Sequence, residues 1–285
     1  MTPQLPPYGL TGASQGDAWR ELLSRYQRIV LVANSDAVAP AMLTPDDDTL
    51  FVFFNKVYKV LAEPFAGHTL LIARSSPAGA NIVYRREVED VVRLLRSDRF
   101  LGICNLRVGP AERFSEPAAF AVPEPVASLD LVDTMAGFYP ATHVATSGFA
   151  LAVFLDHLKL DARVQLAGFT AKRSLRWKLF ADHDWTFEQI VLRLLLRNKR
   201  IEALGPVPDA MLGAIARRFP DIGGPQAVAL AAAEVVAERL ESANVAIEDL
   251  HRLTRPQRRL RETFERLKPK TRKARLAERD ASPRR

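Results

Sequence analysis

Cysteine is nearly absent. Cys104 is the only one in 285 residues, which excludes an internal disulfide and a cysteine-built zinc site and fits a reducing compartment. Within "RFLGICNL" it reads as a small buried hydrophobe. Long apolar runs are missing too: none approaches the roughly 20 residues that a bilayer-spanning helix needs. The opening "MTPQLPPYGLTGASQGDAW" has neither the basic region nor the apolar core of a secretory signal. Both absences lead us to expect a cytoplasmic protein. Aromatic residues run out toward the end of the chain, where Phe264 is the only one from His251 onward. Base stacking on that segment therefore has little to work with.

What the chain has is enough apolar material for a sizeable core, 48% of its residues. Its net charge of +7 is unevenly placed. Residues 251–285 carry 14 Lys or Arg against four acidic side chains, whereas residues 1–250 carry 26 basic and 29 acidic ones. The body is thus near neutral, and the high pI belongs to the tail.

Periodicity predicts alternating strands and helices without an internal repeat. "DAWRELLSRYQ" reads as a helix, and "RIVLVAN", "TLFVFFN", "HTLLIAR" and "FLGICNL" as buried strands, with a helix over residues 86–97 between the last two. Residues 108–125, rich in Pro, Glu and Phe, read as an irregular connection. "SLDLVDTMAGFY" is predicted to be a helix capped by Ser128, followed by a loop, a second helix "GFALAVFLDHL" and the strand "RVQLAGF". This alternation implies a Rossmann-like, mainly parallel sheet with helices on both faces. We expect an α/β domain over residues 1–204, a helical appendage over 205–268, and a basic, disordered tail over 269–285.

The stretch "FADHDWTFEQIVLRLL" concentrates polar residues ahead of an apolar helix. Phe187, Ile190, Val191, Leu194 and Leu195 fall on one helical stripe. Thr186 and Gln189 form the T-x-x-Q pattern of a capping box, which starts the helix just after Trp185. His183 and Asp184 then lie at its amino end, where the helix dipole disfavours a protonated imidazole. Asp184 or Glu188 could instead orient the ring and stabilise its cation.

Three further stretches join this one in a fixed order. "VLVANSDAV" ends a strand in an Asn-Ser turn at Asn34 and Ser35, and "FVFFN" supplies Asn55, 21 positions after Asn34. "PATHVATSGFALAVFLDHLKLDARVQLAGF" runs from the turn Thr146, Ser147, Gly148 through an apolar helix to a strand ending in Gly168 and Phe169. "HDWTFE" holds His183 and Glu188 with four residues between. Over roughly residues 28–200 this ordered set resembles the sialyltransferases, including their distant bacterial members.

The resemblance implies a GT-A-like variant of the Rossmann arrangement and an inverting transfer of a sugar from a CMP-activated donor. The donor would be CMP-sialic acid or CMP-Kdo, both of which carry a carboxylate beside the anomeric carbon. It implies that Asn34, Ser35, Asn55, Thr146, Ser147, Gly148 and Gly168 surround the CMP moiety, with His183 as general base and Glu188 as its companion. The CMP-sugar is a substrate, and no cofactor is implied. No metal is expected either, since "PDDDT", with Asp46 and Asp48, reads as a solvated turn between early strands. Three departures stand out. Ala33 occupies a position where glycine is usual, the cysteine pair of animal members is missing, and "TAKRSLRWKLFAD" lacks both the third motif and its His/Tyr cluster. Lys172, Arg173 and Arg176 in that segment are candidates for phosphate or carboxylate contacts, with a solvated basic loop as the alternative.

The expected acceptor is a surface glycan or glycolipid. The basic tail, with Leu260, Phe264 and Leu267 on one helical face, could lie on the anionic inner-membrane surface as a peripheral anchor. The same charge could neutralise nucleic-acid phosphates, although the dearth of aromatics argues against it, or it could simply be a solvated terminus. A non-catalytic nucleotide- or nucleic-acid-binding α/β protein is the competing reading of the whole chain.

Overall fold

The computed structural model describes residues 3–74, 81–170 and 182–205, together with five helical positions: Ala229, Ala233, Val236, Leu240 and Thr254. The chain forms two compact units, Met1–Val207 and Pro208–Arg285. The expected appendage and tail therefore lie almost wholly outside the described residues, as do Leu260, Phe264 and Leu267. No described helix is long and apolar enough to cross a membrane.

The first unit is a Rossmann-like α/β fold around one seven-stranded sheet. In chain order its elements are α1 (Gly12–Leu23), β1 (Arg28–Val32), β2 (Thr49–Phe54), β3 (His68–Arg74), α2 (Val88–Val92), β4 (Phe100–Arg107), β5 (Val126–Asp130), α3 (Val132–Met135), α4 (Ser147–Leu158), β6 (Arg163–Ala167), α5 (Trp185–Arg197) and β7 (Glu202–Leu204), with short 3-10 turns between some of them. The strand order is β5-β4-β3-β2-β1-β6-β7, and all six pairings are parallel.

Burial on both faces explains why these strands read as unbroken apolar runs. Alternate residues of the strands serve opposite layers, except where the register shifts at the start of β4. Ile29, Leu31, Val52, Phe54, Leu70 and Ile72 pack with α1, α4 and α5, while Val30, Val32, Phe51, Phe53 and Leu71 pack with α2 and the crossover turns. A phenylalanine such as Phe53, fully buried, contributes about 1.5–3 kcal/mol through burial alone.

Three sequence expectations need correction. "SLDLVDTMAGFY" is not one helix: Val126–Asp130 is the strand β5, and only Val132–Met135 is helical. Ser128 caps nothing, because it sits inside the strand and accepts the Gly9 N–H at 2.7 Å. The side chain of Gln15 behaves as a substitute peptide for this edge strand, giving its Nε2–H to Asp130 O (3.0 Å) and taking Asp130 N–H (2.7 Å). The helix expected over residues 86–97 shrinks to Val88–Val92 followed by turns. The strand β7 carried no signal, being three half-buried residues long.

Chain direction creates a switch point. From β1 the strands step outward through β2, β3, β4 and β5, after which α4 carries the chain back to β6 on the other side of β1. Open parallel sheets bind ligands outside the carboxyl ends of strands at such a reversal. Here those ends are Ala33–Ser35 and Gly168–Phe169.

Candidate active site at the carboxyl edge of the sheet

The two loops at the switch point touch. Gly168 has φ +75°, and a Cβ there would come within 2.4 Å of Val38 Cγ2 and 3.3 Å of Ser35 Cβ. A side chain is thus barred both by the left-handed backbone and by the β1 loop. Ser35 Oγ accepts the Ala37 N–H (3.2 Å), which closes the turn after Asn34. Asn34 gives its Nδ2–H to Phe54 O at 2.8 Å and ties the ends of β1 and β2 together, while its Oδ1 is buried without a hydrogen-bond partner.

Asn55 follows Phe54 with φ +37°, a conformation that asparagine tolerates better than most residues. Its Oδ1 accepts the Arg74 N–H at 3.0 Å, so this side chain serves the turn between strand ends. Arg74 ends β3 and is itself buried. Its Nε donates to Glu112 Oε1 (2.7 Å), and its Nη1 donates to Ala145 O (2.9 Å) and Ser147 Oγ (3.3 Å). Glu112 Oε2 takes the Val108 and Gly109 N–H groups (2.8 and 2.9 Å). The irregular 108–125 connection is thereby fastened to the start of α4.

Thr146 is the N-cap of α4, its Oγ1 accepting the Phe149 N–H at 3.2 Å. The Ser147 and Gly148 amides stand at the open end of that helix. A Cβ on Gly148 would lie 2.7 Å from the Phe169 ring. The space the glycine leaves is filled by Phe169, which locks α4 to the end of β6.

Glu188 is buried within α5 and spans to this cap. Oε1 accepts the Tyr139 hydroxyl (2.9 Å) and the Thr146 N–H (2.7 Å), and Oε2 accepts the Thr146 hydroxyl (2.6 Å). Burial raises the Glu188 carboxyl above its ordinary value, against the lowering pull of Thr146, Tyr139 and His183. All three partners are donors, an arrangement that fits the ionised carboxylate. Burial and the Glu188 charge push the Tyr139 phenol up, which keeps it a donor.

This carboxylate also rotates α5. Its buried positions are Glu188, Leu192 and Leu195; of the expected apolar stripe, Leu195 is in the core and Phe187 and Val191 pack against it, while Ile190 and Leu194 are left about half exposed. The helix cap differs from expectation as well. Asp184, rather than the Thr186–Gln189 box, accepts the Phe187 N–H (2.9 Å) and starts the helix at Trp185. A carboxylate at the N-cap reaches the N3 amide and complements the helix dipole.

His183 is oriented by a backbone carbonyl rather than by either acid: Nδ1 lies 2.6 Å from Val144 O. A carbonyl can only accept, so Nδ1 carries the hydrogen, and Nε2 of the neutral ring holds the lone pair. A second link, Val144 N–H to Asp182 O (2.8 Å), fixes the 182–184 loop against the segment that leads into Thr146. Trp185 meets the imidazole edge-on at 5.5 Å between centroids.

The structure therefore gathers Asn34, Ser35, Asn55, Thr146, Ser147, Gly148, Gly168, His183 and Glu188 on one edge through successive hydrogen bonds and contacts. Lys172, Arg173 and Arg176 lie outside the described residues. Sequence reasoning missed Arg74, Glu112 and Tyr139. An arginine closing the apolar run "HTLLIAR" was the one available signal. Among the described residues no group of three or more His, Cys, Asp or Glu gathers to hold a metal. The "PDDDT" turn precedes β2 at the opposite edge, where Asp46 pairs with Arg28 and Asp47 with Arg99. No family model, curated protein or solved structure matches this chain.

Proposed function

We propose that the chain is an inverting, metal-independent glycosyltransferase of GT-A-like build, moving a 2-keto sugar acid (sialic acid or Kdo) from its CMP-activated donor to a hydroxyl of a surface glycan or lipid-linked acceptor. One observation supports the reading: His183 Nδ1 lies 2.6 Å from Val144 O, on the sheet edge that also holds the Asn34 turn and the α4 amino end, and this tautomer would leave Nε2 to serve as the base.

Each group has a chemical role. Buried Asn34 Oδ1 lacks a partner, and a ribose hydroxyl would supply one. The Ser147 and Gly148 amides suit the CMP phosphate, where charge builds as the glycosidic bond breaks. The acceptor oxygen bonds to the anomeric carbon as the bond to the phosphate oxygen breaks with its electron pair, CMP departs, and the hydroxyl proton passes to His183 Nε2. Glu188 and Tyr139 act through position, holding the α4 cap against the histidine loop. Thr146 does the same, since its hydroxyl is used in both directions.

The test is a crystal soak with CMP. Density spanning Asn34 and the Ser147–Gly148 amides supports the reading. Binding elsewhere, or none at saturating CMP, removes it in favour of a non-catalytic α/β binding protein.

A further inference from the structure

Just beyond β2, the carboxyl edge carries a second group of side chains with no part in the donor site. The positive φ of Asn55 turns the chain there, and fully buried Val57 anchors a 3-10 turn, Val57–Lys59. Lys56 is partly buried and reaches Glu87 (3.3 Å). Its ammonium also stands 5.9 Å from the centroid of the Tyr58 ring. The Tyr58 hydroxyl lies 3.4 Å from the same carboxylate, at Glu87 Oε2. Burial and the adjacent Lys56 charge hold the Lys59 ammonium below its ordinary value, and Glu87 pulls the other way.

Joined to this turn through Glu87 is a hydrogen-bonded one of different make. Buried Asn81 accepts the Val83 and Tyr84 N–H groups (2.9 and 3.1 Å) on Oδ1. Ile82 is fully buried, and the turn is closed by Arg86 N–H to Val83 O and Glu87 N–H to Ile82 O. At its tip Tyr84 is 71% exposed, against 42% for Tyr58, and Arg85 and Arg86 beside it are exposed as well. A large aromatic held out in water on an ordered backbone loses little freedom on binding.

We infer that Lys56, Tyr58, Lys59, Tyr84, Arg85 and Glu87 form a subsite for an acidic oligosaccharide. The tyrosine faces take sugar rings, the cations take carboxylates, and Glu87 accepts sugar hydroxyls. Its role as the ground for the acceptor rests on the transferase reading, and implies that the acceptor is itself an acidic glycan. A nucleic-acid strand fits less well. Glu87 sits at the centre of the group, and residues 1–250 carry more acidic than basic side chains, whereas phosphate-backbone binding needs an extended basic face.

Titration of the full chain with a galacturonic-acid hexasaccharide, a neutral glucose hexasaccharide of equal length and a six-nucleotide oligouridylate tests the subsite, with CMP titrated in parallel. The expected result is binding of the acidic sugar alone, weakened about tenfold in both Tyr84→Ala and Arg85→Gln, with CMP affinity unchanged in both variants. Equal binding of the neutral sugar, preference for oligouridylate, or an unmoved affinity in both variants overturns the inference. If the acidic sugar binds as described and CMP does not, the donor reading fails and the subsite stands. The reverse pattern sinks the subsite alone.

Discussion

Glu188 accepts two hydrogen bonds from a single distant residue: the main-chain N–H of Thr146 at 2.7 Å and its hydroxyl at 2.6 Å, across 42 positions of sequence. This pairing joins the amino ends of α4 and α5 and sets which face of α5 is buried. It also makes the carboxylate part of the frame around the candidate base rather than a group that touches the reacting atoms.

The buried charge predicts a pH signature. Burial leaves the folded-state Glu188 carboxyl above its ordinary value, so the folded chain binds more protons than the unfolded one across the window between the two. The contribution of this group is fully present below the ordinary carboxylate range, about 4.3, and is lost as pH rises through the raised value. The stability of wild type minus that of Glu188→Gln should therefore fall with rising pH through that window and level off above it, in urea titrations at stepped pH. A difference that climbs through the same window contradicts the assignment.

The cap of α5 separates two readings of "DHDWTFEQ". Asp184→Ala removes the acceptor of the Phe187 N–H and should cost about 1 kcal/mol. Thr186→Ala should stay within about 0.5 kcal/mol of wild type. Equal losses in denaturant unfolding would restore the Thr186–Gln189 box.

Arg74 and Glu112 form a nearly dry ion pair, each side chain 9% exposed. Arg74→Gln leaves Glu112 buried without its counter-charge, a change worth about 3–5 kcal/mol. Urea unfolding should show that loss. A change below about 1 kcal/mol would mean that the pair is solvated.

Much of this fold was legible because parallel strands buried on both faces are written as local apolar runs: "RIVLVAN", "TLFVFFN", "HTLLIAR" and "FLGICNL" each became a strand. What escaped depends on distant partners. "VASLD" is a strand because β4 lies beside it and Gln15 closes its edge, and neither fact is visible within five residues. The stripe on α5 was legible in part: Phe187, Val191 and Leu195 do pack on the core, whereas Ile190 and Leu194 turn outward because a carboxylate with three donors around it holds an inward position. At the site, turn-forming and chemistry-bearing residue types stood out, whereas Arg74 and Tyr139 look ordinary until Ser147 and Glu188 are placed against them.

The central claim is that His183 Nε2 accepts the acceptor proton during transfer from a CMP-sugar. Its most direct test is release of CMP from CMP-sialic acid and CMP-Kdo by wild type and His183→Ala, with CMP binding measured in both. The account predicts release by wild type with at least one donor, a loss on the order of 10²- to 10⁴-fold in the variant, and unchanged CMP affinity. Wild type that neither binds nor consumes either donor, or a variant that consumes it equally fast, would contradict it.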